Sequence, residues 1–225
     1  SAFTLKDTDI AEQSYISEGS IISFYKGGTG TLTYSDTNGM GNEDITWVID
    51  ITSNQLKVTY SSDSSYDMVS FSSTFDNYYN IHDNYYNIHI VSFDNQGAET
   101  NISDDFVYRV LPMTPELLSG VELNLRSAPN NGCVGRYITF TNETTALMTD
   151  FSCPDGSGVI LTDISTPVTV SADTTTSNVV LLTDGSSFTV RASLTTGDLI
   201  SGGQLFLVNT DATGVIDSMK FEDFY

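Results

Sequence analysis

Two stretches decide the reading of this chain: Ile22–Tyr34, ISFYKGGTGTLTY, and Ile138–Thr149, ITFTNETTALMT. In each, an apolar/polar alternation runs into a short polar turn and resumes beyond it, which is the pattern of a β-hairpin with one wet face. Working outward, Leu56-Lys57-Val58-Thr59-Tyr60 meets Val168-Thr169-Val170-Ser171-Ala172. At the end of each copy, Ile88–Ile102 with its turn Asp94-Asn95-Gln96-Gly97 meets Leu205–Met219 with Asp211-Ala212-Thr213-Gly214. Matched positions lie 112 to 118 residues apart. A period this long marks a duplicated domain, since solenoid repeats are far shorter. The expected domains are 1–111 and 112–225, superposing so that Phe24 meets Phe140 and Leu56 meets Val168, all inward.

Strand signals dominate both halves. Leu56, Val58 and Tyr60 alternate with Lys57 and Thr59, and Phe188, Val190 and Ala192 alternate with Thr189 and Arg191. Helical signals are confined to Asp7–Gln13 and Thr114–Leu118, the latter with Pro115 in its first turn. Turns in the first half fall at Lys26-Gly27-Gly28, Thr37–Asp44, Thr52-Ser53-Asn54, Ser61–Ser65, His82-Asp83-Asn84 and Asp94–Gly97. Short connections at this spacing join hairpins in series, whereas a Greek-key sandwich needs some long crossings. The expected fold is therefore all-β: two tandem antiparallel meander barrels of about eight strands each. Two immunoglobulin-like sandwiches are the alternative. The join lies at Leu111-Pro112-Met113-Thr114-Pro115, and all five prolines follow residue 111.

The elements Thr31-Leu32-Thr33-Tyr34, Ile45-Thr46-Trp47-Val48-Ile49-Asp50 and Gln55-Leu56-Lys57-Val58-Thr59 resemble consecutive strands of lipocalin-like β-barrel domains of bacterial envelope and secreted proteins. The likeness covers most of the first copy. It is fainter in the second, where Val159–Asp163 has no tryptophan. The resemblance implies a barrel with a central ligand site or a surface module, and it carries over no catalytic residue.

Against 29 acidic residues stand eight basic ones, a net charge of −21 split as −12 over residues 1–112 and −9 over 113–225. Such a surface repels phosphate backbones and anionic lipid, so nucleic acid and electrostatic membrane docking are not expected. No run of 18 apolar residues suggests a span. Ser1–Lys6 does not read as a secretory leader, as in any mature chain. Cys133 and Cys153 flank the turn Thr141-Asn142-Glu143-Thr144 symmetrically, a placement from which a disulfide closes. The expected location is thus secreted, periplasmic or on the outer face of the cell envelope.

One local feature stands out: Asp76–His82 and Asp83–His89 are the same heptad, DNYYNIH, written twice. Seven is odd, so in one continuous strand equal residues would face opposite sides of the sheet. Folding the copies back at His82-Asp83-Asn84 gives an aromatic hairpin instead. Tyr78, Tyr79, Tyr85 and Tyr86 then form the candidate ligand-binding set, because phenol rings beside asparagines suit sugar rings or a protein partner. His82 and His89, the only histidines, have no spacing that fixes a metal geometry with Asp76 or Asp83. Calcium is the better candidate cation. Asp36, Asn38 and Asp44 supply oxygens on a glycine-containing segment that begins like an EF-hand loop and then departs from it. No cofactor is otherwise expected. No nucleophile elbow, H-E-x-x-H or phosphate-binding glycine loop occurs, so the chain is not expected to be an enzyme. A carboxylate-dependent glycoside hydrolase is the form an enzyme would take. The expected function is a binding module for a small apolar ligand or a glycan. The alternative is a structural or adhesive cell-surface module with calcium-stiffened loops, contacting another protein.

Overall fold

A computed structural model of the chain describes residues 4–73, 84–126, 134–152 and 162–225. The first barrel follows a single helical turn, α1 (Asp7–Ile10), and runs β1 (Ser14–Ser17), β2 (Ser20–Phe24), β3 (Thr29–Asp36), β4 (Gly39–Asp50), β5 (Gln55–Tyr60), β6 (Tyr66–Ser73), β7 (Tyr85–Phe93), β8 (Glu99–Arg109). The second repeats the plan: α2 (Pro115–Leu118), then β9 (Glu122–Arg126), β10 (Val134–Phe140), β11 (Thr145–Ser152), β12 (Thr162–Ala172), β13 (Val179–Thr183), β14 (Phe188–Asp198), β15 (Gly202–Asp211) and β16 (Ile216–Phe224). Each set of eight closes into an antiparallel barrel in sequence order. Closure excludes the sandwich alternative. Two compact units result, residues 1–110 with 174–177 and residues 111–173 with 178–225.

Both helical turns form where the sequence places them. Thr114 caps α2, its hydroxyl accepting from Leu117 N at 3.3 Å, and Pro115 takes the first position, where its missing N–H costs nothing.

Inward positions fill each barrel. In the first, Phe24, Ile45, Trp47, Leu56, Val58, Tyr86, Ile88 and Val107 pack as one cluster. Trp47 satisfies its indole N–H on Tyr25 O at 3.1 Å and Thr29 O at 3.0 Å, which ties β4 to the β2–β3 turn. In the second, Leu123, Ile138, Phe140, Met148, Val168, Leu182, Leu194 and Leu207 do the same.

The duplication is structural, but its register differs from the one read in the sequence. Phe24 pairs with Gly30 and Gly30 with Ile45; in step, Phe140 pairs with Ala146 and Ala146 with Val168. Phe24 and Phe140 therefore correspond. The partner of Val168 is Ile45, and Leu56 corresponds to Val180. The slip has a simple cause. Only Thr37 and Asn38 separate β3 from β4, whereas nine residues separate β11 from β12. The first copy recovers the difference in its β6–β7 connection of eleven residues, against three between β14 and β15. Two nearly compensating length changes left the offset at 116 for Phe24 and Phe140 and 117 for Asp94 and Asp211, while it departs from both in the middle. At the far end the match is close again. Asp94 Oδ1 accepts from Gln96 N and Ala98 N, as Asp211 Oδ1 accepts from Thr213 N and Val215 N, all at 2.8–2.9 Å.

Several turns rest on such aspartates, and this sets a response to acid. Hydrogen bonds from Ser187 N and Ser186 N hold the Asp184 carboxyl down to about 2 from its ordinary 3.8. Ser201 N and Ile200 N lower Asp198, and the Thr213 hydroxyl and Val215 N lower Asp211. The Ser65 hydroxyl and N–H lower Asp63. A carboxyl depressed in the folded state stabilises the fold fully above its unfolded value and loses that contribution as pH falls towards the folded one. Thermal melting should thus be insensitive to these groups above pH about 4 and decline towards pH about 2. Asp184→Asn should flatten part of the decline. A melting temperature that is level across that window would show the turns to be uncoupled from folding.

Each barrel closes over a narrow seam. β1 pairs with β8 at Tyr15↔Arg109 and Ile16↔Tyr108, extended by Val110 N donating to Ser14 O at 3.1 Å, and β9 pairs with β16 at Leu125↔Phe224, extended by Tyr225 N donating to Asn124 O at 3.1 Å.

Candidate functional site: the outer face of β6, β7 and β8

Strand alternation sends Val69, Phe71, Tyr86, Ile88 and Val107 to the barrel interior, so their neighbours face out. Strand pairing arranges those outward residues in cross-strand rows: Tyr66 with Phe93, then Met68, Val91 and Ile102, then Ser70, His89 and Asp104. Ser72, Asn87 and Phe106 follow, and Tyr85 with Tyr108 ends the series. A groove of about 310 Å³ opens here, lined on its outward side by Ser70, Ser72, Asn87, His89, Asp104 and Phe106.

Aromatic groups bound this face at both ends. Tyr85 stacks on Phe106, with centroids 5.3 Å apart and planes 6° from parallel, and tilts against Tyr108 at 4.7 Å. Phe106 is nonetheless 50% exposed, a large apolar surface offered to solvent. At the opposite end Tyr66 stacks on Phe93 at 5.0 Å, and the Lys57 ammonium sits 4.3 Å from the Tyr66 ring centre. Between them the polar row is ordered by hydrogen bonds. His89 Nδ1 and Asp104 Oδ1 lie 2.8 Å apart, and Ser70 Oγ accepts from Gln55 Nε2 at 3.1 Å.

No protein-family model, curated protein or solved structure matches the chain. The chemistry of this face has to speak for itself. Ser70, His89 and Asp104 are the residue types of a nucleophile, its base and an orienting acid. The arrangement differs from a triad in two respects. Among the described residues no hydrogen bond joins Ser70 to His89, and the Asp104 side chain is 82% exposed where a triad carboxylate is buried. The row presents side-chain donors and acceptors along the outer surface of the sheet.

Of the tyrosines read from the heptads, Tyr85 and Tyr86 are described and take opposite faces. Tyr86 is buried, edge-on to Tyr15 and Phe71, so it is core; Tyr85 belongs to the outward stack. Tyr78 and Tyr79 lie outside the described residues, as do His82, Asp76 and Asp83. Of the two heptads the structure describes residues 84–89, and Tyr85–His89 lie in β7. That strand takes β6 on one edge, with Ser73↔Tyr86 and Phe71↔Ile88, and β8 on the other. Over its described residues the second heptad is thus joined to strands outside the repeat; the fold-back read at residues 82–84 lies outside the described residues, Asn84 excepted. Asn84 helps to anchor the second heptad, its Nδ2 donating to Arg109 O at 2.8 Å.

The three oxygen donors read as a calcium set do not converge. The expected wide turn Thr37–Asp44 is a two-residue hairpin turn, and Asp36 caps it by accepting from Asn38 N at 2.7 Å. Asp44 lies in β4 opposite Thr31, about 17 Å along the ladder from Asp36 at the usual strand rise. Its position is set by pairing, because glycine and asparagine continue the strand instead of opening a loop. Among the described residues no group of three metal-binding side chains is close enough to hold an ion. Cys133 and Cys153 lie outside the described residues, just beyond the last described pair of their hairpin, Val134↔Ser152.

Sequence reasoning did not single out Phe106. The signal available was the alternation Ile102, Asp104, Phe106, Tyr108, whose outward sense becomes clear only once Val107 is known to face the core.

Proposed function

We propose that the outer face of β6–β8 binds glycans, and that the protein is a non-enzymatic binding module of a secreted or envelope-attached kind. The observation that carries this reading is the exposed Phe106, backed by Tyr85 and flanked by Asn87, His89 and Asp104 in one groove. A pyranose ring has an apolar C–H face and an equatorial rim of hydroxyls. A flat ring platform beside short polar side chains complements both. Large inward side chains packed against one another in both barrels favour this outer site over an apolar ligand held inside. The lipocalin-like resemblance agrees with the eight-stranded meander and adds no ligand of its own.

The test is calorimetric titration with a panel of neutral oligosaccharides. Phe106→Ala should weaken the best of them about tenfold. Its melting temperature should stay within a few degrees of the parent, because half of the ring is in solvent. An unchanged affinity would remove the platform from the site. A second reading, adhesion to a protein, is favoured by the apolar row Met68, Val91 and Ile102, the last 55% exposed, which lies next to the polar row. Loss of a protein contact in Ile102→Ser, with glycan titrations blank, would support it instead.

A further inference from the structure

We infer that the groove discriminates ligands by charge and takes cationic amino sugars, such as polymers of free glucosamine, in preference to neutral or acidic ones. The inference rests on the glycan reading above and names the ligand class of that same face. The reasons are local. Asp104 and Phe106 project outward from β8 two residues apart, about 7 Å at strand rise, so a sugar seated on the ring brings one of its substituents to the carboxylate. His89 holds Asp104 Oδ1, which fixes the carboxylate towards the groove and leaves its other oxygen to accept from a ligand. Asp105, opposite Ile88, belongs to the other side of the strand, so Asp104 is the carboxylate that β8 presents beside Phe106 on this face.

No lysine or arginine balances Asp104 at the groove. The first 112 residues hold four basic side chains, Lys6, Lys26, Lys57 and Arg109, and none lines the groove. Lys57 lies over the Tyr66 ring, and Arg109 lies near Asp9 at 4.0 Å and against the Tyr86 ring. An anionic sugar would thus meet the Asp104 carboxylate with no lysine or arginine beside it and His89 already engaged on Oδ1, whereas an ammonium on the sugar completes the row. The site is exposed, so the gain is that of a surface ion pair and modest in size.

The experiment compares a chitosan tetramer, its fully N-acetylated counterpart and an oligogalacturonate, titrated into the full chain at a pH where the amines are charged. The amine form should bind about three- to fivefold more tightly than the acetylated one, and the acidic sugar should not bind. Raising the salt to about 0.5 M should shrink the preference. Because a chain of charge −21 attracts any polycation, two variants of equal charge change separate the groove from the general field. Asp104→Asn, which keeps a partner for His89, should abolish most of the preference, and Asp217→Asn on β16 should leave it. Equal affinity for the amine and acetylated forms, with Phe106→Ala still weakening both, overturns the charge selection and keeps the glycan reading. So does a preference lost equally in both variants. Absence of binding by every sugar overturns both.

Discussion

Phe24→Ala is expected to lower the unfolding free energy of the first barrel by about 3–5 kcal/mol. The ring is 2% exposed and is held edge-on by Tyr15, with centroids 6.1 Å apart, and by Trp47 at 6.0 Å. Its backbone is fixed as well, Phe24 N donating to Gln13 O and Phe24 O accepting from Glu12 N. A side chain so tethered leaves a cavity that its neighbours cannot collapse to fill, since moving Trp47 would break both of its indole hydrogen bonds. Total stabilities of 5–15 kcal/mol are usual, so most of the barrel's margin should be lost. Urea unfolding followed by tryptophan emission is a direct readout, because Trp47 is the only tryptophan and lies against the substituted ring. A loss below about 1 kcal/mol would mean that the site relaxes freely, contrary to the packing described.

Gly30→Ala should cost about 2–3 kcal/mol, by the opposite mechanism. A methyl group at this position would come within 2.2 Å of Ser23 O and 3.2 Å of the Ile45 side chain. The first of these atoms belongs to the backbone of the paired strand and cannot turn aside. The corresponding residue of the second barrel is Ala146, whose methyl group is accommodated in the same place of the same fold. Ala146→Gly should therefore be mild, about 1 kcal/mol, and due to backbone entropy alone. Thermal melts of the two variants give the comparison, and equal shifts would refute the close approach at Gly30.

Much of the architecture was legible in the residues because hairpins are local. Each strand pairs with its neighbour in sequence, so period-two alternation and turn chemistry suffice to count strands and to choose a meander. Phe24 and Phe140 could be matched because both precede a short turn whose far strand opens with a small inward residue. Leu56 could not be matched, because the lengths of the β3–β4 and β11–β12 connections are invisible when the offset recovers downstream. The same limit applied to the site. Tyr85 was singled out for its composition, yet its role comes from Phe106 and Tyr108, more than twenty residues away and brought beside it by the β7–β8 register. Tyr86, identical in type and adjacent, is core for no reason but parity. Asp36 and Asp44 looked like one loop because nothing in Gly39-Met40-Gly41-Asn42 announces a strand; pairing with β3 makes it one.

The narrow seam has a kinetic meaning. Within each barrel, nearly every ladder joins strands adjacent in the chain, and the exception is the closing contact, Tyr15 with Arg109, 94 residues apart. Contact order is therefore concentrated in one event. Seven hairpin steps can proceed in any sequence, each closing a loop of modest entropy, while the ring closes only once both ends of the meander have been carried round. A rate-limiting step placed at the seam leaves β6, β7 and β8, joined to one another by ladders between consecutive strands, free to assemble early and locally before β8 meets β1.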